Sequence, residues 1–173
     1  MLFFQGKLGI LGFLLIITFC ITTPAFAFQN EPDGFRGIKW GTNISELPDM
    51  GLVEDAGDLK YYSRLYDSMK IGDTRVDRII YGFYKDRFYR VEISFSEFSN
   101  FTRLKATFLD QYGSGYKPYS LLEDYWWDGS TVSIVMDYNE ILGKGRIIFF
   151  FKPISEEKKA DDIQRAKKGV KDL

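Results

Sequence analysis

A chain of 173 residues with 23 basic and 24 acidic side chains has the length of one domain, or at most two small ones. It holds no histidine and one cysteine, Cys20, which excludes structural zinc sites of the Cys/His type and catalysis by Ser-His-Asp or Cys-His sets. Balanced charge without a basic stripe gives nucleic acid no electrostatic footing, so carboxylates, lysines, hard cations or plain binding remain.

The first 27 residues read as a secretory signal peptide. Lys7 supplies positive charge, Leu8–Ile21 is an apolar run, and "TTPAFA" places Ala25 and Ala27 in the small-x-small pattern of a cleavage site after Ala27. The run is short for a bilayer span of about 20 residues, and no later stretch is apolar enough to cross. Cys20 follows Phe19 rather than a small residue, which argues against lipidation. The chain is therefore expected to be exported, periplasmic or secreted, from a bacterium, and free of disulfides.

In chain order, residues 28–154 are expected to form one domain. An extended lead-in with Gly37, Trp40 and Gly41 runs into a short helical turn, capped by Thr42 or Asn43 and stopped by Pro48. "GLVEDAGD" and residues 59–67 read as strands, and "MKIGDTR" as a turn. "VDRIIYGFYKDRFYRVEISFSEF" is a hairpin. With Lys85-Asp86-Arg87 as its loop, Tyr84 faces Phe88 and Phe83 faces Tyr89. One face then carries Ile79, Tyr81, Phe83, Tyr89, Val91, Ile93 and Phe95, the other Arg78, Arg90, Glu92 and Ser94.

Phe101, Leu104, Phe108, Leu109 and Tyr112 form one helical stripe. Ser99 or Asn100 would cap this helix and Gly113 would end it. Strands at 121–127, 130–138 and 145–152 follow, turning at Asp128-Gly129 and at Gly143-Lys144-Gly145. "IIFFF" is apolar on both faces, so it belongs inside the sheet. Residues 155–173 read as a charged helix or tail that docks weakly, with Asp161 and Arg165 spaced for a pair. The fold class is α+β: an antiparallel sheet of six or seven strands, one main amphipathic helix on it, and minor terminal helices.

Trp126 and Trp127 are adjacent on a strand, so they point to opposite faces. With Asp128-Gly129 as a two-residue turn, Trp127 shares a core face with Tyr125, Val132, Ile134, Met136 and Tyr138. Trp126 shares the polar face with Asp124, Thr131, Ser133 and Asp137; a loop one residue longer would exchange the two indoles. An indole on a polar face is covered by the lead-in, by the terminal helix or by a ligand, or is left exposed and inert. Indole, carboxylate and hydroxyl together suit a sugar ring or an extended peptide, so Trp126, Asp124, Thr131, Ser133 and Asp137 are the candidate ligand or partner surface. Glu92, Glu97, Glu123, Asp124 and Asp137 are the carboxylates that could serve glycoside hydrolysis, although no pair is marked out. "EDAGD" and "DTRVD" lack EF-hand spacing and read as turns. No cofactor or metal motif is present.

"FRGIKWGTNISEL", "IIYGFYKDRFYRVEISF", "FLDQYGSGY" and the tryptophan hairpin together resemble a group of uncharacterised exported bacterial proteins. These open with Gly-x-x-Trp-Gly-Thr/Ser, here Gly37, Trp40, Gly41 and Thr42. The plan is also loosely similar to small envelope-assembly lipoproteins and β-lactamase-inhibitor-like domains, a likeness of fold that implies no function. The expectation is a non-enzymatic binding or interaction module acting on an envelope protein, peptide or glycan. The alternatives are a structural domain of an envelope complex and a carboxylate-based carbohydrate-active enzyme.

Overall fold

The computed structural model describes residues 28–171; the segment read as a signal peptide lies outside the described residues. The elements run β1 (Gly34–Phe35), β2 (Ile38–Lys39), a 3-10 turn (Ile44–Glu46), β3 (Met50–Ala56), β4 (Leu59–Arg64), β5 (Lys70–Ile71), β6 (Thr74–Arg75), β7 (Arg78–Tyr84), β8 (Arg87–Ser96), α1 (Phe98–Tyr112), β9 (Glu123–Asp128), β10 (Val132–Asn139), β11 (Lys144–Phe151) and α2 (Lys152–Lys171). Seven strands make one sheet in the order β3-β4-β7-β8-β11-β10-β9, every neighbour antiparallel. The fold is α+β, as the alternation of short strand patterns and one helical stripe predicts. Among the described residues no helix is long and apolar enough to cross a membrane.

One face of the sheet is the core. Tyr81, Phe83, Phe88, Val91, Ile93, Phe95, Trp127, Ile134, Met136, Ile147 and Phe149 are buried there, under Phe101, Leu104 and Phe108 of α1. The lead-in covers the rest of this face: Trp40 stacks between Phe88 and Phe151, and Phe35 lies against Tyr81 and Phe149. Asn43 caps the 3-10 turn, accepting from the Ser45 N–H, while Glu46 reaches back to the Asn43 N–H.

Three local expectations need correction. The β7–β8 loop has two residues, Lys85 and Asp86, both at positive φ (48° and 62°), as a hairpin turn that follows the strand twist requires. Phe83 therefore pairs with Phe88, and a bulge at Gly82/Phe83 restores the Tyr81–Val91 register. The extra residue turns Tyr89 out of the main core to join Tyr84 and Ile154 on the opposite face. Helix α1 begins at Phe98, so Ser99 and Asn100 lie inside it; the preceding Glu97 has φ 73° and makes no side-chain cap. "MKIGDTR" closes as a two-stranded hairpin, β5–β6, with Gly72 in its turn.

Helix α2 continues directly from β11 and is better anchored than its sparse apolar positions suggest. Ile154 is buried beside Tyr84 and Tyr89. The Tyr84 hydroxyl donates to Asp161 at 2.7 Å, Lys85 bonds Glu157 and Asp161, and Arg87 bonds Glu157 at 2.6 Å. Arg165 pairs with Asp58 rather than with Asp161; Lys158 and Asp162 form the pair one turn apart. This helix roofs the second face over β7, β8 and β11 and reaches the β3–β4 turn through Arg165.

Candidate functional site

The β9–β10 ladder sets Trp127 opposite Ile134, Trp126 opposite Val135, Asp124 opposite Asp137 and Asp128 opposite Ser133. The connection is longer than a two-residue turn, and Trp127 meets Ile134 instead of Ser130. That displacement is four residues, an even number, so every side chain that stays within the two strands keeps its expected face. Trp127 is the buried indole, 2% exposed, with its N–H donated to the Gly113 carbonyl at 2.8 Å. Trp126 is 45% exposed on the other face, and its N–H donates to Asp124 at 2.8 Å.

Neither proposed cover closes over Trp126: most of the lead-in packs on the core face, with only Phe28 reaching the hollow beside the indole, and α2 packs on the second face near Tyr84 and Tyr89. The indole stands between two hollows. The larger, of about 510 Å³, has Trp126, Val135, Asp124, Asp137 and Arg146 along the sheet and Leu121, Leu122 and Ile141 at its rim. The smaller, of about 380 Å³, is lined by Phe28, Ser114, Tyr116, Asp128 and Ser133 around the two tryptophans. The backbones of Tyr116 and Trp126 exchange two hydrogen bonds, 2.7 and 2.8 Å, across the outer edge of β9. This fixes the strand that carries the indole.

Four of the five sequence-named residues share this face; Thr131 does not. Asp124 and Asp137 lie on opposite strands, where two like charges repel unless something intervenes. Arg146, paired across β11, donates to Asp137 at 2.6 Å, and the bond to Asp137 raises the guanidinium's pKa further. Ser133 donates to Asp128 at 2.5 Å. Thr131 sits in the hairpin loop, and both its N–H and its hydroxyl donate to Glu31. Glu92 accepts from Arg90, and Glu123 accepts from Tyr125, Lys117 and Lys105. Among the described residues no group of three Asp, Glu, His or Cys gathers as a metal site.

Arg146 and Glu31 escape a reading of the sequence for different reasons. The β10–β11 turn spans 140–143 rather than Gly143–Gly145, and that register brings Arg146 to Asp137. Glu31 is 99 to 101 residues from its partners, and no local pattern marks such a contact. It accepts from the N–H groups of Ser130, Thr131 and Val132 and from the hydroxyls of Ser130 and Thr131, at 2.5 to 2.9 Å. These N–H groups are withheld from the strand ladder, which is why the hairpin loop is long.

Burial alone would push the Glu31 carboxyl up, but the bonds from Thr131 and Ser130 outweigh it and bring the pKa from 4.5 to about 2. A depressed folded-state pKa adds stability above the unfolded value and loses it as pH falls towards the folded one. Allowing for solvent screening at this half-buried position, that is about 2 kcal/mol. The stability gap between wild type and Glu31→Gln is thus expected to be full at neutral pH and to narrow from about pH 4.5 to about pH 2. Urea midpoints of the two proteins across that range test this; a gap independent of pH would sink it.

No protein-family model, curated protein or solved structure matches this chain.

Proposed function

We propose that the chain is an exported, non-catalytic binding module whose ligand surface is the open part of the sheet around Trp126. The observation that carries this reading is the indole of Trp126, 45% exposed and fixed at its N–H by Asp124, standing between two open hollows. Leaving 45% of an aromatic of roughly 150–250 Å² in water forgoes about 2 kcal/mol of burial.

The chemistry of the larger hollow narrows the ligand. Its lining includes Asp124, Asp137 and Glu140 against one guanidinium, Arg146, while Glu123 is taken up by Lys105, Lys117 and Tyr125. Carboxylates accept from hydroxyl groups and repel anions, while the indole offers a flat apolar surface. A neutral, hydroxyl-rich glycan fits this combination better than an acidic peptide, and a volume near 510 Å³ lies within the range of small-molecule sites. The resemblance to exported bacterial proteins supports an envelope setting.

Two measurements test the reading. Iodide is expected to quench a fraction of the tryptophan fluorescence that Trp126→Phe removes and Trp127→Phe retains. Neutral cell-envelope oligosaccharides are expected to bind wild type by titration calorimetry, and Trp126→Ala to weaken that binding about tenfold, since an aromatic stacking contact carries about 1 kcal/mol. Equal binding by Trp126→Ala, or no glycan binding by wild type, would overturn the glycan assignment. Slow cleavage of a bound glycan that is lost in Asp137→Asn would replace binding with hydrolysis by the Asp124–Asp137 pair.

A further inference from the structure

The loop at residues 129–132 is built as a receptor. Three successive N–H groups and two hydroxyls converge on a single carboxylate. One Glu31 oxygen takes the Thr131 and Val132 N–H groups and the Thr131 hydroxyl; the other takes the Ser130 N–H and hydroxyl. Successive backbone N–H groups around one anion form a concave anion nest. Glycine at position 129 leaves room for the occupant: a Cβ there would lie 2.5 Å from both the Glu31 carboxyl carbon and the Phe28 ring. The flanking charges are Lys152, bonded to the Gly129 carbonyl and Asp128, and Asp128 itself, so the seat is selective by geometry rather than by net charge.

The occupant arrives on a strap that is otherwise lightly held. The Gln29 N–H bonds the Tyr112 carbonyl at 3.0 Å, the Asn30 side chain bonds the Gln111 carbonyl at 2.8 Å, and Phe28 packs edge-on against Tyr112. Phe28 also lines the smaller hollow beside Trp126.

We propose that the Ser130–Val132 loop is a carboxylate-binding site in its own right, with Glu31 as its tethered ligand, and that it accepts a free carboxylate when Glu31 is withdrawn. A tethered ligand competes at an effective concentration of about millimolar or above, so the wild-type site is closed to weak external anions. A partner carboxylate that displaced Glu31 would release Phe28 and enlarge the hollow beside Trp126. The inference stands apart from the glycan reading, because it concerns the loop and the strap alone.

The test is chemical rescue of Glu31→Ala by acetate, titrated against chloride at constant ionic strength. Acetate is expected to raise the melting temperature of Glu31→Ala saturably, by about 3 °C or more, through binding to the folded state. Wild type should not respond. In Glu31→Ala the Ser130, Thr131 and Val132 amide resonances should move with the same saturation curve. If Glu31→Ala does not fold, Glu31→Ser, whose side chain is too short to fill the seat, takes its place, and the same three resonances report on acetate. The proposal falls if neither variant responds to acetate more than wild type does. It also falls as a carboxylate assignment if inorganic phosphate rescues and acetate does not.

Discussion

Trp127→Ala is expected to lower folding stability by about 4 kcal/mol, and Trp126→Ala, one residue away, by less than about 1 kcal/mol. Trp127 is 2% exposed. Its ring contacts Phe108 of α1 and Tyr112 at the end of that helix, and stacks with Tyr125, at centroid distances of 5.8, 6.5 and 6.3 Å. Truncation leaves a cavity between α1 and the sheet that neither can close without shifting the other. It also strands the Gly113 carbonyl at the helix end, which accepts the indole N–H. Trp126 is already 45% exposed, and the partner it would leave, Asp124, can hydrate. Urea unfolding of the two variants reads the difference. Equal costs would mean that the indoles share burial, and the uncovered platform would lose its basis.

The asymmetry between the two tryptophans was legible from the sequence because it rests on strand periodicity. Any even displacement of the hairpin preserves it, and the observed displacement is even. The same rule placed Ile79, Tyr81, Val91, Ile93 and Phe95 in the core, and the α1 stripe followed from its spacing. Loop lengths were less legible. The β7–β8 turn hides a bulge, and Tyr89 exchanged faces with Phe88 because two residues at positive φ can close a hairpin that three were expected to close. Thr131 was misplaced for a long-range reason, since Glu31 draws its N–H out of the ladder. The uncovered state of Trp126 was not legible either. It depends on where the lead-in and α2 settle, and α2 is positioned by ion pairs to Lys85, Arg87 and Asp58 that span 70 or more residues.

Gly145→Ala is expected to cost about 3 kcal/mol, although alanine is ordinarily the better strand residue by about 0.5–1 kcal/mol. Gly145 lies on the core face of β11, between Phe95 of β8 and Tyr138 of β10. Its missing side chain makes room for the Phe95 ring, which lies parallel to the rings of Phe101 and Tyr138 within 4° and 5°. A Cβ at position 145 would come within 2.7 Å of the Asp137 carbonyl oxygen and nearer still to the Phe95 ring. The carbonyl is part of the β10 backbone and cannot yield. The ring is 1% exposed and stacked on two neighbours, so it yields only by breaking the stack. A double-mutant cycle with Phe95→Leu identifies the cause: if the ring is the obstacle, the two changes together cost less than their sum by about 1 kcal/mol or more. Additive costs would place the strain in the backbone instead. Either way the strain falls one residue from Arg146 and beside Asp137, whose bond forms part of the larger hollow. The glycan binding proposed at Trp126 should therefore weaken in Gly145→Ala and, where the ring is the obstacle, recover partly in the double variant.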